Sequence, residues 1–262
     1  MALKLGKHPP KHDPRTLRFA HYTSAQRGAP PAKIDYSKPV LSWPMMQNDK
    51  YPLCACAAAG HMIQQWTADT GEMVVPSDAQ VLAAYRHFVG DNLEAGAHML
   101  DVLKHWRRHG ISEHKVAGFA QLDPRNLEQV RQAIWIFGNC YVGLALPDHI
   151  AHAPDPRKVP WTVSKHADRE FAPNLHNGHC VPIVGYDQER LYIVTWGALI
   201  SMSFDFCATY MDEAYAVLSP DWISGKWGEA PSGFDLAALE IDLKRITGEC
   251  GTEVSRTSGK NS

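Results

Sequence analysis

Apolar and polar positions change rhythm halfway along this chain. From Leu53 to about Thr67, Ala55, Ala58, Ala59, Met62 and Trp66 recur at helical spacing, and the many alanines suit a helix packed closely among other elements. Ser77 followed by Gln80 is a capping box that predicts a helix to about Val89. A third amphipathic stretch runs from Met99 to Arg108 and stops at Gly110. A fourth is expected from Asp123-Pro124 through Val130 and Ile134 to about Gly138. Beyond that point the pattern becomes short and β-rich: 140–146, 181–186, 191–195 and 214–218, separated by turn residues. Residues 147–178 are rich in proline and histidine and read as a long irregular loop, the kind of segment that often forms a functional rim. Residues 235–247 predict a last helix and 248–262 a disordered tail.

Ahead of the first helix, residues 1–33 carry Lys4, Lys7, Lys11 and Arg15 among prolines, and read as an extended, solvated arm over the surface. Net charge is −2, from 26 basic and 28 acidic residues, so no bulk field recruits nucleic acid or an anionic membrane. Membrane spans need about 20 consecutive apolar residues, and no run here approaches that. Lys4, Lys7, Pro9 and Pro10 interrupt the apolar stretch that a signal peptide would need, so the expectation is a cytoplasmic protein. Six cysteines (54, 56, 140, 180, 207, 250) lack a disulfide-framework spacing and read as reduced thiols. No C-x-x-C pair occurs and the fourteen histidines are scattered, so neither metal nor cofactor is expected.

Chemistry concentrates in two places. Pro52-Leu53-Cys54-Ala55 puts a thiol where a helix begins, and the helix N-terminus favours thiolate. Asn177-Gly178-His179-Cys180-Val181 puts an imidazole where an apolar strand begins. A cysteine nucleophile needs a base brought from elsewhere in the fold, so their wide separation is no obstacle. Cys56 competes as nucleophile, but two residues along a helix it points to another face. His61 lies about 10 Å along the same helix by its rise, too far for proton transfer. His176 lacks the apolar strand behind it.

Several stretches, in order, resemble papain-like cysteine peptidases. Pro31-Ala32-Lys33-Ile34-Asp35-Tyr36 resembles the opening of that family's mature domain, and the distance from Asp35 to Cys54 fits. Asn48 stands where the family keeps its oxyanion-hole glutamine. Gly178 to Tyr186 resembles the strand carrying the family's histidine. Val194-Thr195-Trp196-Gly197 stands where N-S-W-G is expected, and Tyr215-Ala216-Val217 resembles the strand that follows. Together they span roughly residues 31–220, in a manner similar to divergent bacterial or phage-type members.

The resemblance implies an α+β, two-lobed fold: a helical lobe over about 45–138, an antiparallel β-barrel-like lobe over about 139–222 and a closing helix over about 235–247, within a domain of residues 34–247. The site would lie between the lobes. Cys54 would be the nucleophile, His179 the base, Asn48 an oxyanion donor, and Thr195 and Trp196 supporting residues. The implied function is hydrolysis of a peptide or amide bond through an acyl-enzyme. Acyl transfer or cyclisation by the same pair, and a binding-only pseudoenzyme, are the alternatives. The pseudoenzyme draws on Val194, which replaces the asparagine that orients the histidine and accepts no hydrogen bond. Strand alternation counted from Val194 points Thr195 away from His179. The expected partner is a peptide or amide substrate, and oligomeric state is not legible.

Overall fold

The computed structural model describes residues 3–23, 29–166, 168–226 and 235–247. Its centre is helix α1 (Cys54–Thr70), whose residues from Cys54 to Thr67 are all buried. Small side chains allow this: Gly60 sits so close to Met46 and Val81 that any larger residue would displace them. The helix ends at Gly71, whose φ of 98° lets its N–H turn back to Ala68 O. α2 (Asp78–Val89) starts on the Ser77–Gln80 capping box, and α3 (Met99–His109) stops at Gly110, φ 89°. Val81, Tyr85, Leu103 and Trp106 from these two helices join α1 in one apolar core.

Seven strands among the described residues form one antiparallel sheet. They are β1 (Ile34–Asp35), β2 (Gly118–Gln121), β3 (Cys140–Ala145), β4 (Gly178–Tyr186), β5 (Arg190–Thr195), β6 (Ala198–Ser203) and β7 (Met211–Leu218). The spatial order is β2-β7-β3-β4-β5-β6, with β1 against β4. The outermost strands β2 and β6 do not pair with each other, so the sheet is open rather than barrel-like. Strands β3 and β4 are buried on both faces, which is why they read as continuous apolar runs.

The fold is α+β, and several expectations shift within it. α4 (Leu127–Phe137) begins later than Asp123-Pro124, because Asn126 caps it by accepting from Gln129 N–H, while Asp123 closes the preceding turn on Arg125 N–H. α4 packs against β7 of the sheet, and β2 pairs with β7 within it. Residues 147–178 contain α5 (Asp148–Ala151) and two 3-10 turns, 169–171 and 175–177. Past β6 the chain adds α6 (Phe204–Tyr210) and, after β7, α7 (Pro220–Lys226) and α8 (Leu236–Thr247). The tail expected over 248–262 lies outside the described residues.

The arm is the main correction. It is solvated in part, with residues 9–12, 14–15, 18 and 20–21 exposed, but other parts of it are buried. Phe19 and Tyr22 are buried in the sheet-side core, and Tyr22 reaches Asp242 of α8 through a 2.9 Å hydrogen bond. Nearer its start, Lys7 is only 3% exposed. Five cysteines, 54, 56, 140, 180 and 207, are free thiols. Among the described residues no cluster of three or more His, Cys, Asp or Glu is placed to hold a metal, and no helix is long and apolar enough to cross a membrane.

Candidate active site

Cys54 opens α1, where the first N–H groups have no partners within the helix. Burial raises its thiol pKa above the ordinary value, opposed by backbone N–H groups of Cys180, Gly6 and Ala55 and by the Lys7 charge. Cys180 follows His179 in β4, so the thiol rests against the strand that carries the imidazole. Cys56 faces elsewhere, and burial drives its thiol strongly upward with no hydrogen bond opposing. His61 is a core residue, its ring bonded to Pro44 O at 2.9 Å and its pKa lowered to about 4 by burial. His176 sits exposed in a 3-10 turn.

His179 is fully buried. Its Nε2 lies 2.6 Å from Thr195 Oγ1, and its ring stacks on Trp196 at 4.2 Å between centroids and 15° between planes. Thr195 therefore faces the histidine, against the alternation counted from Val194. The sheet explains it. Leu191, Ile193 and Thr195 alternate onto the same core face as His179, Val181 and Ile183, whereas Val194 lies on the other. The contact to the ring comes from the threonine one residue beyond Val194. Just beyond it, Trp196 (φ 45°) and Gly197 (φ 70°) make the two-residue turn joining β5 to β6. A non-glycine residue in that conformation costs about 1–3 kcal/mol, offset here by ring stacking and by the Trp196 Nε1–Lys4 O bond of 3.0 Å. Trp161, from the long loop, stands 6.5 Å from the imidazole and 6.2 Å from the Trp196 ring, between centroids.

Burial, and then the Lys7 charge, lower the His179 pKa to about 3, so the ring is neutral. In the tautomer that donates Nε2–H to Thr195, the lone pair is on Nδ1. That atom is buried and has no hydrogen-bond partner among the described residues. Cys54 Sγ does not bond to it, and the sulfur is approached instead by the backbone N–H groups of Cys180 and Gly6. Asn48 is buried as well. Its Nδ2 donates to Tyr51 O (3.1 Å) and to Lys4 O (3.3 Å), and the latter also receives Trp196 Nε1. The Lys4 carbonyl thus stands in for a carbonyl oxygen between two side-chain N–H donors.

Residues 6–8 of the arm run between Gly178 and Ala97. Gly6 and Lys7 N–H both reach Gly178 O (3.1 and 3.0 Å), Ala97 N–H reaches Gly6 O (2.8 Å) and His8 N–H reaches Ala97 O (3.0 Å). Gly178 and Gly6 are needed for this approach, since a Cβ on either would collide with the opposing backbone. Sequence reasoning offers Cys54, His179, Asn48, Thr195 and Trp196 as candidates, and does not foresee the place of Trp161 or the seating of residues 4–8. The glycine directly before His179 is the one local signal of a close backbone approach.

No protein-family model matches the sequence, and no curated protein matches it significantly. Solved structures do match, and cysteine proteases of papain-like fold stand among them. Xylellain, a cysteine protease from Xylella fastidiosa, superposes with a TM-score of 0.66 at 13% identity, over 83% of this chain and 96% of that one. ProCathepsin B S9 from Trypanosoma congolense gives 0.57 at 13% identity, over 83% and 86%. The cysteine protease and lectin-like domains of Cwp84 from Clostridium difficile give 0.58 at 12%, over 83% and 57%. At these identities the likeness establishes a papain-like fold for this chain.

Proposed function

We propose that the protein is a thiol hydrolase that cleaves peptide or related amide bonds through an acyl-enzyme on Cys54. The observation that carries this reading is the Thr195–His179–Trp196 arrangement, which leaves Nδ1 as an unpartnered buried base on the strand against which the thiol rests. An imidazole so held has no structural use for Nδ1, and leaving it unbonded costs about 1–3 kcal/mol.

In the proposed reaction His179 Nδ1 takes the Cys54 proton and the sulfur attacks the substrate carbonyl carbon. The oxyanion is held by Asn48 Nδ2–H and the Cys54 backbone N–H. Collapse breaks the C–N bond as His179 returns the proton to the departing amine. Water, deprotonated by His179, then releases the acid. Thr195 keeps the proton on Nε2, the part that an asparagine would otherwise play, and Trp196 shields the pair from solvent. An amine in place of water would make the same site a transferase, but no contact favours one. The covering arm makes the chain latent, since peptide and arm compete for Gly178 O and Ala97.

The test is hydrolysis of fluorogenic peptides by the full chain, with acylated Cys54 sought by mass spectrometry. Cys54→Ala and His179→Ala each lower kcat/KM by about 10³-fold or more. Cleavage that survives Cys54→Ala sinks the proposal.

A further inference from the structure

Lys7 is a buried ammonium one residue from the backbone that lies on Cys54. Its Nζ is 2.8 Å from Asp212 Oδ2, 3.3 Å from Glu213 Oε1 and 3.1 Å from His8 O. Both carboxylates lie at the start of β7, and Glu213 is as buried as the lysine. Tyr215 fixes Glu213 by donating its hydroxyl to Oε2 at 2.9 Å. Gly143 and Met99 form the wall: the absent side chain of Gly143 leaves the space through which the lysine stem passes, and a Cβ there would strike it. Two acids facing one amine in a dry pocket are poorly matched to any neutral occupant, because emptying the pocket strands buried carboxylates.

From this we infer that the pocket filled by Lys7 is the specificity pocket of the enzyme, and that it selects substrates carrying a Lys or Arg side chain close to the cleaved bond. The inference rests on the peptidase reading above. Its second support is the backbone geometry. The arm residue entering the pocket is held by Gly178 O, next to His179, and is flanked by bonds from Gly6 O and His8 N–H to Ala97, so an extended peptide has the same main-chain partners waiting. The arm also marks the order of features along the cleft. Lys4 lies at Trp196 and Asn48, Gly6 at Cys54 and Lys7 in the acidic pocket, which places the pocket on the far side of the thiol from Trp196.

Full-length chain carrying Lys7→Ala, which empties the pocket, is assayed with fluorogenic peptides in which Lys, Arg, Leu, Phe or Glu is walked through the positions preceding the cleaved bond. The same residues are walked through the positions following the bond, and at one position on either side kcat/KM for Lys and Arg exceeds that for Leu and Phe by about tenfold or more, a polar pocket being a strong filter against unpaired partners. Adding Glu213→Gln lowers the Lys-to-Leu ratio at least about fivefold. A preference for Leu or Phe at every position, or a ratio unmoved by Glu213→Gln, overturns the inference. If Lys7→Ala does not fold, the wild-type chain gives the same ranking, since arm closure scales all rates alike. If nothing is cleaved, the peptidase reading has failed and the pocket is tested separately. A blocked Gly-Lys-Gly peptide should speed hydrogen exchange of the Gly6 and Lys7 amides in the wild-type chain, whereas Gly-Leu-Gly should not. Equal effects, or none, refute the pocket.

Discussion

Helix α1 and the β4–β5 hairpin form opposite walls of the cleft and hold their reactive groups by different means. On α1 the thiol is positioned by local chemistry: a run of small residues buried on every side, with no side-chain cap to adjust. Little there can move without disturbing the core. On the hairpin the imidazole is held by three contacts from distant positions: Thr195 at the strand end, Trp196 in a turn of unusual backbone conformation, and Trp161 from the long loop. One wall is specified by composition, the other by strand register and turn geometry. The arm touches both, joining Asn48 and the Cys54 environment on one side to Trp196 and Gly178 on the other. Rigid and adjustable halves of a site should therefore answer differently to substitution and to pH.

The largest effect expected is on the helix wall. Gly60→Leu forces a branched side chain against Met46 and Val81, and overpacking of that kind costs about 1–3 kcal/mol or more. The midpoint of thermal unfolding should fall by about 2–4 °C for each kcal/mol. An unchanged midpoint would show that the helix is not the rigid half.

Next comes the response to acid. His179 has an arm-covered pKa of about 3 against an ordinary value near 6.5. Its pKa is depressed, so the stabilisation of the covered state is complete above about pH 6.5 and is lost as pH falls toward 3. Glu213 acts in the opposite direction: burial raises its pKa above the ordinary carboxylate value despite the lowering by Lys7, so its protonation favours the covered state. His61 on α1 is also depressed, to about 4, but only global unfolding exposes it. Exchange of the Gly6 and Lys7 amides, corrected for intrinsic rate, should thus rise more than about tenfold between about pH 7 and 4.5 while α1 amides stay protected. Protection of the arm that does not vary with pH would remove this distinction between the walls.

Smaller effects test the hairpin directly. Thr195→Val removes the contact to Nε2 while keeping the shape, and kcat should drop about tenfold with a modest loss of stability. Val194→Asn should not raise turnover, because Val194 lies on the other face. Burying its unpaired amide costs about 1–3 kcal/mol, seen in a lower melting temperature. A gain in turnover would show that Val194, not Thr195, sits at the orienting position.

Part of this architecture is legible in the amino-acid order alone. The capping box at Ser77, the stops at Gly110 and Gly138 and the alanine-rich helix opening at Cys54 depend on residues within a few positions of one another. Flanking motifs alone single out Cys54 and His179 as candidates for one site. Thr195 is misplaced by counting from Val194, because a single residue of offset reverses which face a strand residue occupies.

Local propensity, capping and periodicity act over one or two turns, so the sequence by itself determined which segments are helix or strand and which thiol begins a helix. The depth of Lys7 did not follow from anything near Lys7. It depends on Asp212 and Glu213, brought close by the antiparallel pairing of β3 with β7, and on Gly143, whose missing side chain makes the space. A lysine on a proline-rich arm reads as solvated until its counter-charges are in place, because the cost of burying an ammonium is met only by partners about two hundred residues away. The open sheet, the covered cleft and the orientation of His179 were decided in the same way, by contacts whose free energy exists only once the chain has closed on itself.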